Sequence, residues 1–173
     1  NKNYILVYTS IVKDRKIFEV LHKSNEKFIV YGYDENKTEG NIIFRKFSYK
    51  EFDNDLMNCK GVITTGGINL ISEAIYLKKP ILVIPVKHQF EQTLNALYVK
   101  ENNYGEFYEE LNEDNLRYFL LNLDKYRKKG FNPGNKQLFK LIDKIIERWK
   151  MLDSLINIIY FIIPGAVANM MPV

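Results

Sequence analysis

The residues that could do chemistry are concentrated in residues 64–96. Gly66 and Gly67 follow a short apolar run and come directly before a helical pattern. Two glycines let the backbone approach a ligand closely, and the free N–H groups at the start of a helix suit a phosphate. Glu73, about one turn into that helix, carries a carboxylate that could accept hydrogen bonds from both hydroxyl groups of a ribose. This spacing predicts a site for a phosphorylated ligand that contains a sugar.

A second group of polar residues follows the next apolar run of the chain. Glu91, Gln92 and Asn95 come shortly after residues 81–85. Open α/β sheets bind ligands at the carboxyl ends of their strands, so we expect Glu91 and Gln92 to join the glycine turn in one site. Asn95 lies one turn further on, where its amide is expected to tie the loop to the helix.

These residues need a strand, a helix and a second strand to position them. Residues 61–65 are an apolar run of strand length, and residues 68–77 carry apolar side chains at helical spacing. Lys78, Lys79 and Pro80 end the helix, because lysines suit a helix C-terminus and proline cannot continue it. Residues 81–85 are continuously apolar, which is typical of a parallel strand covered on both faces. The stretch is therefore predicted to be one βαβ unit.

Strands and helices are predicted to alternate along the rest of the chain. Apolar runs predict strands at residues 4–8, 28–33 and 41–44, with a last short strand at 106–108. Amphipathic patterns predict helices at residues 13–22, 49–59, 90–102, 112–126 and 136–150. The polar residues 34–40 are predicted to be a turn, and Ser48 with Glu51 is predicted to cap the second helix. This alternation indicates an α/β fold with a doubly wound parallel sheet.

Composition limits the function classes. The chain has 173 residues, 46% of them hydrophobic, and a formal net charge of +4. This length is enough for one domain with a proper core, and the mild positive charge does not argue for a nucleic-acid partner. The single cysteine, Cys59, excludes an internal disulfide and suggests a reducing compartment. We therefore expect a cytoplasmic globular domain with no nucleic-acid partner.

The last stretch of the chain differs from the rest. Residues 154–173 carry no charge and are numerous enough to span a bilayer. Lys140, Lys144, Arg148 and Lys150 precede them, so their N-terminal side is expected at the cytoplasmic face of a membrane. The alternative is an apolar tail that packs on the domain or on a partner. The chain is thus predicted to consist of a domain at residues 1–150 and an apolar helical tail at residues 151–173.

Three short motifs resemble those of a known family. They are G-G-x-N-x-x-x-E-A from Gly66, P-x-L-x-I-P from Pro80 and E-Q-x-x-N-A from Glu91. Their order resembles the nucleotide-sugar signature of GT-B glycosyltransferases, including the MurG-type enzymes and the UDP-sugar transferases. The resemblance covers residues 4–149 and implies a Rossmann-like sheet, the C-terminal, donor-binding half of a GT-B fold. Residues 162–173 also faintly resemble the first membrane segment of CDP-archaeol synthases.

The resemblance implies roles for residues along the chain. The diphosphate is implied to contact Ser10, Thr65, Gly66, Gly67, Asn69 and Leu70. The base is implied to contact Phe47 and Ser48, and the ribose Glu73. The transferred sugar is implied to contact His88, Glu91 and Gln92. Two of these positions depart from the pattern of relatives. Thr65 stands where plant enzymes carry a phosphate-binding histidine, and Ser10 lies where many relatives have a glycine-rich turn.

The resemblance also implies a reaction. A sugar, N-acetylglucosamine in our expectation, would pass from a UDP-sugar to an acceptor hydroxyl. No metal or other cofactor is expected, because such enzymes stabilise the leaving diphosphate with helix N-termini and hydrogen-bond donors. The general base is implied to lie in an N-terminal acceptor domain or a partner subunit. The apolar tail suits a lipid-linked acceptor at a membrane, and the chain is expected to be a donor-binding half.

Three alternatives stay open at this level. A UDP-N-acetylglucosamine 2-epimerase shares the GT-B fold, although residues 85–88 do not resemble the Arg- and Glu-rich loop of those enzymes. A non-catalytic nucleotide-sugar-binding or interaction module would keep the fold without the reaction. The third is a membrane protein whose soluble part is only an attachment. Glu73, Glu91 and Gln92 together favour the glycosyltransferase.

Overall fold

The computed structural model describes residues 3–9, 15–127 and 140–153. The elements, in chain order, are β1 (Ile5–Tyr8), α1 (Arg15–His22), β2 (Phe28–Tyr31), β3 (Lys37–Glu39), β4 (Ile42–Phe44), α2 (Tyr49–Asn58), β5 (Val62–Thr64), α3 (Ile68–Tyr76), β6 (Ile81–Val83), α4 (Phe90–Glu101), β7 (Gly105–Phe107), α5 (Glu113–Leu121), α6 (Leu123–Arg127) and a helix at residues 140–153, α7. Contacts divide the chain into two compact units, Asn1–Phe131 and Asn132–Val173. The sheet belongs to the first unit and α7 to the second.

The seven strands form one sheet in the order β3-β4-β2-β1-β5-β6-β7. Neighbouring strands are parallel except β3, which pairs antiparallel with β4 at the edge. Without β3, the strands counted along the chain follow the Rossmann order 3-2-1-4-5-6. The chain moves from β1 to one side through β2 and β4, and then crosses to the other side of β1 to form β5. The topological switch point therefore lies between β1 and β5, where Tyr8 is in register with Thr64.

Both faces of the sheet are covered by helices. Successive residues of β1 show this, because Leu6 packs in one apolar cluster whereas Ile5 and Val7 pack in another. The first cluster contains residues of α2, α3 and α4, and the second contains residues of α1, α5 and α6. Alternating side chains of a strand point to opposite faces, so each strand contributes to both cores. The predicted doubly wound, Rossmann-like α/β fold is confirmed.

Three local predictions are wrong. Residues 34–40 contain strand β3 rather than only a turn, because backbone pairing with β4 can hold a polar strand at the edge of a sheet. The helix predicted at residues 112–126 is two helices, with Asn122 as the C-cap of α5. Ser48 is the N-cap residue of α2, but its side chain makes no capping hydrogen bond. Apolar periodicity therefore locates the helices well, and misses the polar edge strand and the helix break.

The predicted C-terminal tail lies outside the described residues, which end at residue 153. Among the residues that are described, no helix is both long enough and apolar enough to cross a membrane. The division of the chain after residue 150 and the apolar helical tail stay predictions.

Candidate functional site

A cleft opens at the carboxyl ends of β1 and β5, at the topological switch point. Its volume is about 520 Å³, within the range of pockets that bind small ligands. Tyr8 and Thr64, the last residues of the two strands, both line it. The cleft brings together these predicted site residues: Phe47, Thr65, Gly67, Asn69, Leu70, Glu73, Glu91 and Gln92. Residues far apart in sequence thus meet where open α/β sheets bind ligands.

Gly66 and Gly67 form the turn between β5 and α3, and their surroundings differ. Gly66 has φ +106°, which other residues rarely adopt, and a Cβ there would lie 3.0 Å from the backbone oxygen of Gln92. The N–H of Gly66 donates to Thr64 Oγ1 (3.3 Å), and its carbonyl accepts from Asn95 Nδ2 (2.9 Å). Gly67, the N-cap residue of α3, has φ −63° and open space where a Cβ would lie. Gly66 therefore fixes the turn, while Gly67 presents bare backbone to the cleft.

The start of α3 faces the cleft with its backbone. Asn69 and Leu70 lie in the first helical turn and both line the cleft. The Ile71 N–H donates to the Gly67 carbonyl at 3.2 Å. The N–H groups of the first turn have no carbonyl of their own helix to bind, and the helix dipole makes this end attractive to an anion. Glu73 follows with an exposed carboxylate, so an anion at the helix start would lie next to an acceptor for hydroxyl groups.

The start of α4 is tied to the glycine turn. The bond from Asn95 to the Gly66 carbonyl joins α4 to the glycine turn after β5. Gln92 Oε1 accepts a hydrogen bond from the Val86 N–H at 2.9 Å, which holds the loop between β6 and α4. Its amide nitrogen keeps two donors that can serve a ligand. Glu91 lies beside it in the first turn of α4 and is exposed.

Aromatic side chains form one wall of the cleft. The Phe47 ring, between β4 and α2, lies edge-on to Tyr8 (centroids 6.4 Å apart) and Tyr49 (5.0 Å). Phe52, one turn after Tyr49, packs against the Phe47 ring at 5.4 Å. Phe47 is 47% exposed and Tyr49 79% exposed, so both rings have surface available to a flat ligand. This wall can stack with a base, since aromatic faces favour such contacts.

A buried network holds α2, the helix that carries much of this wall. Asp55 is 2% exposed and accepts hydrogen bonds from the hydroxyls of Tyr4 (3.2 Å) and Tyr31 (2.8 Å). The guanidinium of Arg45 also donates to the Asp55 carboxylate. Burial, together with the bond to Asp55, raises the pKa of Tyr31 to about 12, so its hydroxyl stays a donor at neutral pH. The network fixes α2 against β2, the start of β1 and the chain after β4.

The cleft is acidic within the part of the chain that the structure describes. Asp53, Glu73 and Glu91 line it, and its lining contains no lysine, arginine or histidine. Asp55 is only two residues from Asp53, but it is buried while Asp53 is exposed, so the two carboxylates serve different partners. The described residues contain no group of three or more His, Cys, Asp or Glu side chains that could hold a metal ion. A phosphate bound here would rely on N–H and hydroxyl donors.

Three predicted site residues that the structure describes do not line the cleft, and a fourth lies outside the described residues. Gly66 is buried behind the turn, and Ser48 is the N-cap residue of α2, next to Phe47. His88 lies exposed in the loop before α4, in a left-handed conformation with φ +69°. Ser10 lies outside the described residues. The roles assigned to these residues stay predictions.

Sequence reasoning missed several residues of the cleft lining. Tyr8, Tyr49 and Asp53 line the cleft but are not among the predicted site residues. A signal for two of them exists in the sequence. Tyr49 and Asp53 are four residues apart, a spacing that places both on one face of α2 together with the neighbouring Phe52.

Another cavity, of about 380 Å³, lies between α1 and α5. Its lining includes residues 23–26, which precede β2, so it lies at the amino ends of the strands. Lys23 and Glu113 form an ion pair there, with 2.7 Å between Nζ and Oε1. Because ligands of open α/β sheets bind at the opposite edge, this cavity is not the candidate site.

Comparison with known proteins identifies the class to which the fold and cleft belong. The profile of Glycosyl transferase family 1 matches residues 1–124, which include every element that lines the cleft. The chain belongs to this glycosyltransferase family. None of the curated proteins matches the chain in sequence.

Solved glycosyltransferase structures share the fold. SnogD from Streptomyces nogalater is 18% identical, with 82% of this chain and 42% of that chain covered and a TM-score of 0.56. The spinosyn forosaminyltransferase SpnP is 15% identical, with 87% and 44% covered and a TM-score of 0.57. The calicheamicin glycosyltransferase CalG4 is 14% identical, with 74% and 36% covered and a TM-score of 0.55. The chain spans less than half of each protein, and its resemblance to the GT-B fold is confirmed.

Proposed function

We propose that this chain is the donor-binding half of a glycosyltransferase that uses a UDP-sugar, with UDP-N-acetylglucosamine as the specific candidate. The observation that carries the proposal is the cleft at the switch point. It combines an open glycine turn, a helix start, an aromatic wall and carboxylates, which suit the four parts of a nucleotide-sugar. Each part of such a ligand needs a different chemistry, and the cleft offers a group suited to each.

The diphosphate is assigned to the start of α3. The backbone there has unbonded N–H groups, and Gly67 leaves room for close approach. Thr65 adds a hydroxyl, and Asn69 and Leu70 contribute backbone or amide donors. The acidic lining makes these donors important, because no basic side chain of the described cleft offsets the charge of the phosphates. A helix N-terminus can do this without a metal ion.

The ribose is assigned to the second turn of α3, and the base and the transferred sugar to the elements on either side of it. The base would lie against Phe47 and Tyr49, and both ribose hydroxyls would donate to Glu73. The transferred sugar would meet Glu91 and the amide N–H groups of Gln92. Gln92 is partly buried, and a polar group that is buried in the complex discriminates well among hydroxyl patterns, because an analogue without the matching hydroxyl leaves it unpaired.

The acceptor side of the reaction is proposed to lie elsewhere. No general base is assigned within this chain, because Glu73 and Glu91 of the cleft are assigned to the donor. The solved glycosyltransferases are about twice as long as this chain, which supports a further acceptor domain or a partner subunit. The proposed site of the reaction is the cytoplasmic face of a membrane, with a lipid-linked acceptor, because basic residues between 140 and 150 precede the uncharged and largely apolar residues 154–173.

Calorimetric titration of the full chain with UDP, UDP-N-acetylglucosamine, GDP and dTDP tests the proposal. UDP and its sugar are expected to bind more tightly than the other nucleotides. Glu73→Ala should weaken UDP binding by about 2 kcal/mol, the scale of a hydrogen bond to a charged group that is lost.

Glu101→Ala is the matched control for this experiment. Glu101 is an exposed glutamate at the last position of α4, outside the cleft lining, so its loss should leave UDP binding unchanged. Binding of none of the four nucleotides by the folded chain would refute the donor-site proposal. Equal affinities of the parent and Glu73→Ala would refute the ribose role of Glu73.

A further inference from the structure

Asp53 lines the cleft, but no part of the proposed donor is assigned to it. It lies on α2 one turn after Tyr49, so the two side chains share one side of the helix. Asp53 and Glu73 are both exposed, and within the described part of the chain neither carboxylate has a hydrogen-bond or ion-pair partner. The cleft therefore offers a ligand two carboxylates that are available as acceptors.

Asp53 and Glu73 lie on neighbouring helices at about the same depth. Helices α2 and α3 each follow a strand of the parallel part of the sheet, so both begin at its carboxyl edge and run in the same direction. At 1.5 Å per residue, Asp53 is about 6 Å along α2 and Glu73 about 7.5 Å along α3. Both residues also line a groove of about 460 Å³ that lies between the two helices. The two carboxylates therefore border the same part of the cleft, one from each helix.

A ribose offers two hydroxyl groups in a fixed order. The 2′-hydroxyl is on the carbon next to the one that carries the base, and the 3′-hydroxyl is one carbon nearer the 5′-phosphate. In the proposed site the base would lie against Tyr49, on α2, and the diphosphate at the start of α3. The 2′-hydroxyl would then point to the side of α2 and the 3′-hydroxyl to the side of α3. Because each hydroxyl has one proton, each can donate to a different carboxylate.

We propose that Asp53 determines a preference for ribonucleotides by accepting a hydrogen bond from the 2′-hydroxyl, which leaves the 3′-hydroxyl to Glu73. The inference rests on the proposed donor site, and it divides between two carboxylates the hydroxyls that Glu73 would otherwise accept alone. A bound 2′-deoxynucleotide would cover the Asp53 carboxylate without giving it a donor. A covered charge without a partner is costly, so the deoxynucleotide should bind more weakly.

Calorimetric titration of the full chain with UDP, 2′-deoxy-UDP and 3′-deoxy-UDP tests the assignment. The parent should bind UDP at least about tenfold more tightly than either deoxynucleotide, the factor expected for one lost hydrogen bond to a charged group. Asp53→Ala should weaken UDP binding by about the same factor and leave 2′-deoxy-UDP binding unchanged, so its preference between these two nucleotides disappears. Its preference for UDP over 3′-deoxy-UDP should remain, and Glu73→Ala should show the reverse pattern.

Glu51→Ala is the matched control for Asp53→Ala. Glu51 is an exposed carboxylate on the same helix, and it does not line the cleft. Its loss removes the same charge, and it should keep the UDP affinity and both preferences of the parent. Both variants should stay folded because both side chains are exposed, and circular dichroism checks this.

The outcomes separate the role of Asp53 from the donor site itself. An undiminished preference for UDP over 2′-deoxy-UDP in Asp53→Ala would overturn that role and leave the donor site intact. Loss of this preference in Glu73→Ala instead would assign both hydroxyls to Glu73, and would overturn the role of Asp53 as well. Binding of no nucleotide by the folded parent would overturn the donor site, and the inference with it.

Discussion

Replacing Gly67 with alanine should weaken nucleotide binding without weakening the fold. The position tolerates a methyl group sterically, because nothing lies within 4 Å of the Cβ and φ is −63°. Alanine is a poorer N-cap residue than glycine by several tenths of a kcal/mol to about 1 kcal/mol. A Gly→Ala change also restricts the unfolded chain, which stabilises the fold by about 0.4–1 kcal/mol. The two effects offset each other, so the free energy of unfolding should change by less than about 0.5 kcal/mol.

The ligand would experience the same substitution differently. The added methyl group would lie in the open space from which a diphosphate must approach the N–H groups of α3. A phosphate pushed away from even one of these donors loses a charge-assisted hydrogen bond, worth about 1.5–3 kcal/mol. Affinity for UDP should therefore fall at least about tenfold, since 1.4 kcal/mol corresponds to one factor of ten.

Gly66→Ala is the matched comparison, one residue away with the same chemical change. Its Cβ would lie 3.0 Å from the Gln92 backbone oxygen and 3.1 Å from Val83 Cγ1, at φ +106°. A left-handed conformation alone costs an alanine about 1–2 kcal/mol, and the contacts add to this. Gly66→Ala should thus destabilise the fold by about 2 kcal/mol or more.

Urea denaturation of both variants and calorimetric titration with UDP measure the two effects separately. Gly67→Ala should keep its denaturation midpoint and lose affinity, whereas Gly66→Ala should lose stability. Unchanged UDP affinity in Gly67→Ala would refute the assignment of the phosphate to this turn. A large loss of stability in Gly67→Ala would show that the space at this turn is not open.

Two further outcomes are expected. Asp55→Ala should lower the free energy of unfolding by about 2 kcal/mol or more, because it leaves the Arg45 guanidinium and the Tyr31 hydroxyl without their acceptor, whereas the Tyr4 hydroxyl keeps the Asp55 backbone carbonyl. Urea denaturation measures this, and a loss below about 0.5 kcal/mol would contradict it. The free energy of unfolding should also fall as pH rises from about 10 to about 12. A tyrosine in the unfolded chain has a pKa of about 10, whereas burial and the bond to Asp55 raise the pKa of folded Tyr31 to about 12. Unfolding therefore releases a proton in this range, and a higher pH favours the unfolded chain. Tyr31→Phe should make that fall less steep in urea denaturation across this pH range, and identical pH dependence in parent and variant would exclude Tyr31 as a cause.

The backbone of the site could be predicted from sequence because its signals are local. The diglycine, the helix that follows it and the apolar strand before Glu91 each have a pattern within about ten residues. Such features need no knowledge of which strands are neighbours. The bond from Asn95 to Gly66 does need it, because the two residues are 29 positions apart and meet through the pairing of β5 with β6.

The aromatic wall could not be predicted in the same way, because it depends on strand order. Tyr8 meets Phe47 only because β1 lies at the centre of the sheet and the chain after β4 returns to α2. Strand β3 has the same difficulty, since its residues Lys37 to Glu39 are polar and only pairing with β4 makes them a strand. The break between α5 and α6 at Asn122 has no strong breaker such as proline in the sequence.

The topology also explains how one cleft can recognise a ligand with unlike parts. The switch point separates two sets of crossovers, and each set delivers its own side chains to the same edge. The β4–α2 crossover supplies Phe47 and Tyr49, which are apolar or amphipathic. The turn after β5 supplies backbone donors, and helices α3 and α4 supply the polar residues Glu73 and Gln92. A base would then be recognised on one side of the switch point, and its sugar and phosphates on the other. Because Asp55 holds α2 independently of the glycine turn, Asp55 substitutions should affect discrimination among bases more than discrimination among sugars.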